Sequence, residues 1–481
     1  MDNIGQGRPL SWDFVLEALT RAIPVEQIEL VVERVHGKRR RRKRKIPLVG
    51  VVWLVVGIGL FGDLDISSIW RQVAGTLATL WGSLDKRKPP VKSALAQARQ
   101  RLGARPMRLL YKLTATTAAK IDGPRSPQLS PEGYPEVGGA FYRGMRVLGM
   151  DGQKLTMPDT PANAKAFGRC YTRRGSEKVA AGYPQLLLMR LMELGTRLNL
   201  EALIKPACYS EKKAARALLE RTPVGSLLLW DSGFYSYALL KQAMMRGVHM
   251  LGYLPWTPIF KPIKHLSDDS ILAYIYPDPW ARRRDDRSEA ILARIIRYTI
   301  DDPNRPGDCE IHRLVTTLLD EKKYPARELI QLYHVRWEFE IANDELTTHQ
   351  LARPVDLRSL TPAGVVQEIY GVLLAHNAIR RVMCESAERE NIDPRTLSFM
   401  HAVRVIRETI PLMRAARTEL LPALYKAMVE QIGQGKLPPR DNRINPRVIK
   451  VKMSKWAKKR PKHLKPPQPQ KTFLASIVML K

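Results

Sequence analysis

Two aspartates each close an apolar, strand-like run: Asp151 in YRGMRVLGMDG and Asp231 in VGSLLLWDSG. In open α/β sheets, functional groups collect beyond the carboxyl ends of the strands. If these two strands are neighbours, their carboxylates converge, and converging acids repel unless cations lie between them. Oxygen donors of this kind suit Mg²⁺, and a pair of such ions can activate an attacking oxygen and stabilise a leaving one in phosphoryl transfer. Both aspartates also precede Gly or Ser-Gly, so ordinary turn or capping roles fit equally well. A third group lies in YHVRWEFE, where Tyr333, Arg336 and Glu340 fall at 0, +3 and +7 and share one face of a helix. That face is either a surface ion pair beside an aromatic, or a device that offers Glu340 to a metal and Arg336 to a phosphate, whose geometry the planar guanidinium matches.

These residues need elements to hold them. The run before Asp151 reads as a short strand ending at the Asp151-Gly152 turn. Helical stretches are expected near 183–195 and 211–220. The apolar strand before Asp231 is followed by a helix in YSYALLKQAMMRG, the start of an α/β unit. From 249 to 320 the chain is strand-rich, in HMLGYLP, SILAYIY, ARIIRYTI and IHRLVTTLL, separated by prolines and Asp/Asn/Gly clusters. One long helix is expected from Pro325, whose missing amide is harmless at a helix start, to about Leu346, and another over 362–384. The expected divisions are a helical region at 1–105, an α/β region bearing both aspartates at 106–248, a strand-rich stretch at 249–320, a helical part at 321–446 and a tail at 447–481. The tail has eleven Lys or Arg and no acid, a composition that predicts a flexible basic segment.

Charge restricts the partners. Seventy-nine Lys and Arg against 47 Asp and Glu give +32 in 481 residues, a surplus that captures polyanions, nucleic acid above all because each neutralised phosphate releases counterions. Eight consecutive basic residues, Lys38, Arg39, Arg40, Arg41, Arg42, Lys43, Arg44 and Lys45, form a strap that reads as a phosphate contact or a solvated charge run. It precedes an uncharged segment, Ile46–Gly62, which is short for a membrane span and reads as a buried helix; no membrane association is expected. Cys170, Cys208, Cys309 and Cys384 form no CxxC pair or zinc pattern, and no P-loop, HExxH or GxSxG is present. His334 and His376 read as structural. Trp256 and Trp280, in the strand-rich stretch, are either core or platforms for unstacked bases.

Taken in order, RRRRKRKIPLVGVVWLVV, MDGQKLTMPDTPANAKAFG, LLLWDSGFYSYALL, RLVTTLLD with YHVRWEFE, and LTPAGVVQEIYGVLLAHNAIR resemble IS4-type insertion-sequence transposases over residues 10–460. The resemblance implies an α/β fold: an RNase H-like catalytic domain with a strand-rich insertion, preceded by a helical N-terminal domain. It implies a catalytic triad of Asp151, Asp231 and Glu340 holding two Mg²⁺ ions, with Mn²⁺ as substitute. Tyr333 and Arg336 then match the family's Y-x2-R-x3-E-x6-K signature. The implied activity is cleavage and strand transfer on double-stranded DNA by a homodimer, with a hairpin as one route, on nucleoid DNA in the bacterial cytoplasm. The last signature position departs: Thr347 stands where the family has lysine. Two alternatives follow, a DNA-binding descendant with impaired chemistry and a membrane-associated basic protein.

Overall fold

A computed structural model describes residues 22–37, 46–81, 90–119, 140–174, 177–255, 260–305, 307–351, 356–438 and 468–480. The basic strap at 38–45 and Trp256 lie outside the described residues. The chain makes two compact units, one from the described residues up to 119, 140–222 and 337–436, the other from 223–336 and the described residues beyond 436.

The first unit begins with helices α1 (Val25–His36), α2 (Leu48–Leu60), α3 (Ile66–Trp81), α4 (Lys92–Leu102) and α5 (Arg105–Ala119). Helix α2 starts directly after Pro47 and is apolar all round; eleven of its 13 residues are buried. A helix without a polar face belongs inside a protein or a membrane, and among the described residues no helix is long and apolar enough to cross one. The chain then forms strands β1 (Phe141–Tyr142) and β2 (Met145–Thr156), helix α6 (Pro161–Phe167), a hairpin of β3 (Tyr171–Arg174) and β4 (Glu177–Ala180), strands β5 (Gln185–Glu193) and β6 (Leu198–Pro206), and helix α7 (Glu211–Leu219). β2, β5 and β6 pair antiparallel in sequence order.

Two expectations fail here. Of the stretch 183–195, residues 185–193 are a strand, held by ladders with β2 and β6; eight of its nine residues are buried, and a strand buried on both faces reads as a continuous apolar run that periodicity cannot tell from a helix. Asp151 does not end its strand. β2 continues to Thr156, because its ladder with β5 runs on past Gly152 to Thr156, opposite Gln185.

The second unit comprises β7 (Leu227–Trp230), α8 (Tyr237–Arg246), β8 (His249–Tyr253), β9 (Pro262–His265), β10 (Ile271–Ile275), α9 (Pro279–Arg284), β11 (Ile291–Ile300), β12 (His312–Thr316) and α10 (Ala326–His334). β7 and β8 run parallel, joined by α8 as expected of an α/β unit; β8, β12, β11, β10 and β9 continue antiparallel.

The first unit resumes with α11 (Trp337–Asp344), a π-helical turn at Glu345–Leu351, α12 (Pro362–Arg389), α13 (Phe399–Ala415) and α14 (Leu421–Gln434). The long helix expected from Pro325 to Leu346 is therefore interrupted. After His334 the amides of Val335 and Arg336 donate to the carbonyls of Leu332 and Tyr333, at 3.0 Å each, a tightened last turn that ends α10. Tyr333, Arg336 and Glu340 accordingly lie in a helix, a turn and the next helix.

α12 is the axis of the helical core and crosses α2 at glycines. A Cβ on Gly59 would lie 2.7 Å from Val372 Cα, and one on Gly371 would lie 2.9 Å from the Val55 carbonyl carbon. The missing side chains let the two backbones touch.

The chain end belongs to the second unit. Helix α15 (Phe473–Ser476) leads into β13 (Ile477–Met479), which pairs antiparallel with β11, Ile477 opposite Ile300. The flexible tail read from composition is corrected for 468–480: Asp302, fully buried, accepts the backbone N–H groups of Gln470 at 2.9 Å and Lys471 at 3.1 Å.

Candidate active site

In the first unit, Asp151 and Glu340 are brought to one sheet face and the helix over it. Side chains at odd positions of β2 share a face. On it, a Cβ at Gly149 would meet the ring of Phe339 at 3.0 Å, so α11 packs directly on β2. Asp151 is paired across the ladder with Arg190 of β5 and its Oδ1 accepts the Gly152 N–H at 2.7 Å. Arg190 is completely buried. Its guanidinium sits 4.9 Å from the centroid of the Phe339 ring, donates to Asn199 Oδ1 of β6 at 2.6 Å, and donates to Asn343 Oδ1 of α11. Burial pulls its pKa down to about 10, against the opposing influence of Tyr111, Asp151 and Glu345, so it stays cationic. Glu338 anchors the same helix from the other side, accepting from Arg197 Nε at 2.6 Å. Glu340 is half-buried on this clamped helix.

Below α11 lies a buried ionic cluster. Glu345 accepts from Arg197 at 2.6 Å, from Arg380 Nε at 3.0 Å and pairs with His376 Nε2 at 3.1 Å. Burial opposes its ionisation, but Arg380, Arg197 and His376 hold the carboxyl well below the usual range. The cluster secures the π-helical turn that carries Thr347, whose Oγ1 donates to the Asn343 carbonyl at 2.9 Å.

In the second unit, Asp231, Tyr333 and Arg336 are brought together. Asp231 is exposed at the end of β7, and its Oδ1 accepts the Ser232 N–H at 2.8 Å. The preceding Trp230 is fully buried, and its indole occupies the place a side chain at Gly252 would need; Gly252 thus fixes the strand end that presents the carboxylate. The Tyr333 hydroxyl titrates well above the usual range, chiefly through burial, with Arg336 opposing and Asp231 and Tyr253 adding to the rise. It therefore remains a neutral donor. The Arg336 guanidinium lies 5.9 Å from the Tyr333 ring centroid, and the rings of Tyr253 and Tyr333 are 6.2 Å apart.

Asp151, Asp231 and Glu340 offer only hard carboxylate oxygens, a donor chemistry that fits Mg²⁺ or Mn²⁺ rather than a softer metal. Among the described residues no three His, Cys, Asp or Glu side chains are gathered into a metal cluster. Trp280 is 65% exposed at the start of α9, with Arg283 stacked on it at 5.2 Å, so it is surface and not core. His376 is core, as expected. Sequence reasoning missed Arg190, Asn199 and Asn343. The signal for Arg190 was a lone cation inside the apolar run QLLLMRLM.

The sequence matches two family models in tandem: the insertion element 4 transposase N-terminal model at residues 14–112 and the transposase DDE domain model at 142–378. Transposase InsG for insertion sequence element IS4, from Escherichia coli (strain K12), is 30% identical over 420 residues, covering 86% of this chain and 88% of that protein. Putative transposase InsZ of the same organism is 29% identical over 218 residues, 44% of this chain and 63% of that one. A piggyBac transposase synaptic complex with hairpin DNA aligns with a TM-score of 0.43 at 11% identity, over 91% of this chain and 88% of that chain, a likeness too slight to place residues. The two family models and the match to InsG define a transposase of the DDE class. The chain belongs to the IS4 family of insertion-element transposases. Its fold class is the α/β one expected, a DDE transposase domain with a large mixed sheet and a strand-rich stretch, preceded by helices.

Proposed function

We propose that the chain cuts DNA at the ends of an insertion element and joins those ends to target DNA, with Asp151, Asp231 and Glu340 holding two Mg²⁺ ions, or Mn²⁺ in their place. When bound, such ions would activate an attacking oxygen and stabilise a leaving one. Water attacks the scissile phosphorus and breaks its bond to the 3′ oxygen, leaving a 3′-hydroxyl and a 5′-phosphate. That hydroxyl then attacks a second phosphodiester, on the opposite strand to close a hairpin or in target DNA, releasing a new 3′-hydroxyl. Arg336 and the neutral Tyr333 hold a phosphate beside the cut. Lys38–Lys45 grips the double helix by its phosphates, a homodimer brings two ends together, and the setting is nucleoid DNA in the bacterial cytoplasm.

The observation that carries this reading is the gathering of Asp231, Tyr333 and Arg336 in one unit, in a chain of the IS4 family. The test is cleavage of duplex DNA from the element's own ends in Mg²⁺ or Mn²⁺, read as nicks and hairpins on a denaturing gel. Asp151→Asn, Asp231→Asn and Glu340→Gln are expected to bind DNA and not cut it. A second reading, a DNA-binding descendant with impaired chemistry, is favoured by Thr347, whose hydroxyl is spent on a backbone carbonyl and carries no charge for phosphate. Binding without cleavage in either metal, restored by Thr347→Lys, would establish it.

A further inference from the structure

We infer that Arg190 is a positioning residue that holds the strand of Asp151 and the helix of Glu340 at a fixed separation. The inference rests on the assignment of those two carboxylates made above.

Arg190 is an expensive residue where it stands. Burying a guanidinium whose hydrogen bonds go to neutral amides carries a large desolvation penalty, and a leucine or methionine would fill a strand between two others equally well. Among the described residues it makes no ion pair, and its Nε has no hydrogen-bond partner. Its bonds go to two neutral amides on two different elements, Asn199 of β6 and Asn343 of α11. Its flat face covers Phe339, the neighbour of Glu340 in sequence. Its own strand position is the one opposite Asp151. The planar cation thus ties its own strand and β6 to α11, while its backbone pairs with β2; β2 and α11 carry the proposed metal ligands. The planar fork keeps those bonds in a single geometry, which a flexible ammonium does not. A fixed positive charge also offsets part of the repulsion between carboxylates before any cation arrives.

The experiment compares wild type with Arg190→Lys, which keeps the charge and loses the fork, and Arg190→Met, which keeps the apolar stem. Asn343→Ala removes the helix-side bond without touching the buried strand and serves if the other two fail to fold. Three readouts are taken: melting and DNA binding; single-turnover cleavage against metal concentration; and Mn²⁺ binding to DNA-free protein by electron paramagnetic resonance. Folded variants that bind DNA are expected to cleave about 10- to 100-fold more slowly and to bind Mn²⁺ more weakly, the usual cost of losing a support for metal ligands, with Lys no better than Met. Unchanged Mn²⁺ affinity and unchanged metal dependence of cleavage would overturn the inference, including the case where activity falls only in step with the folded fraction. Asp151→Asn is run beside them. If it cuts like wild type, the carboxylate assignment itself fails; if it is inert while Arg190→Met behaves as wild type, only the role of Arg190 fails.

Discussion

The ring of Phe473 meets the imidazole of His334 edge-on, with centroids 4.0 Å apart. A residue eight from the end of the chain thereby closes over the helix that bears Tyr333. Burial, with the positive surroundings of His312, Arg336 and Arg305, brings the pKa of His334 down to about 4. The folded state thus disfavours a proton that the unfolded chain accepts near the ordinary histidine value of about 6.5. Stability from keeping this ring neutral is fully present above that value and is lost as pH falls from about 6.5 toward 4, by on the order of 3 kcal/mol. Thermal melts across this range are expected to fall steeply for wild type and less for His334→Phe. Equal slopes would mean that other groups govern the acid limb.

Glu345→Gln leaves Arg197 and Arg380 buried without their shared carboxylate. Breaking a buried ion cluster from one side costs about 3–5 kcal/mol, so a large drop in the denaturant midpoint is expected at neutral pH. Chemical denaturation of the two proteins side by side measures it, and a difference below about 1 kcal/mol would contradict the cluster as described.

Much of this architecture could be read from residue types, and the failures are physical. The helix after Asp231 and the strand before it were legible because apolar runs there end at turn residues. β5 was misread as a helix because burial on both faces erased its alternation. The break between α10 and α11 was invisible because Val335 and Arg336 are tolerated in helices, and only the tightened turn ends the first one. Tyr333 and Arg336 could be paired with Asp231 only through the fold. β13 was hidden by composition: eleven basic residues in the last 35 masked the apolar IVML that pairs with β11.

Asp302→Ala removes the acceptor of the Gln470 and Lys471 amides and leaves two backbone donors to water. The terminal strand is expected to come away more often, so limited proteolysis should trim the variant near 470 several-fold faster than wild type. Identical trimming rates would show that the segment is held without the Asp302 carboxylate.

At the crossing of α2 and α12, Gly371→Ala forces a Cβ to within 2.9 Å of the Val55 carbonyl carbon. The two backbones must part, at a cost of about 1–3 kcal/mol or more for overpacking. A lower melting temperature is expected for Gly371→Ala and for Gly59→Ala. Neither is expected to shift the metal dependence of cleavage, which distinguishes them from Arg190 variants.

That crossing also sets a timetable. α2 ends at Leu60 and its partner begins at Pro362, so a ribosome making about 5–20 residues per second delivers the second helix roughly 15–60 s after the first. For that interval a uniformly apolar helix is outside the tunnel with only α1, α3 and α4 beside it, and without the α12 backbone that Gly59 fits against. Chains stopped short of residue 362 are expected to need a holding chaperone or to aggregate, whereas chains extended through Arg389 are not; pelleting of stalled translation products made with and without chaperone distinguishes the two. A newly made transposase of this build is expected to commit to its fold only once the ribosome has passed Arg389.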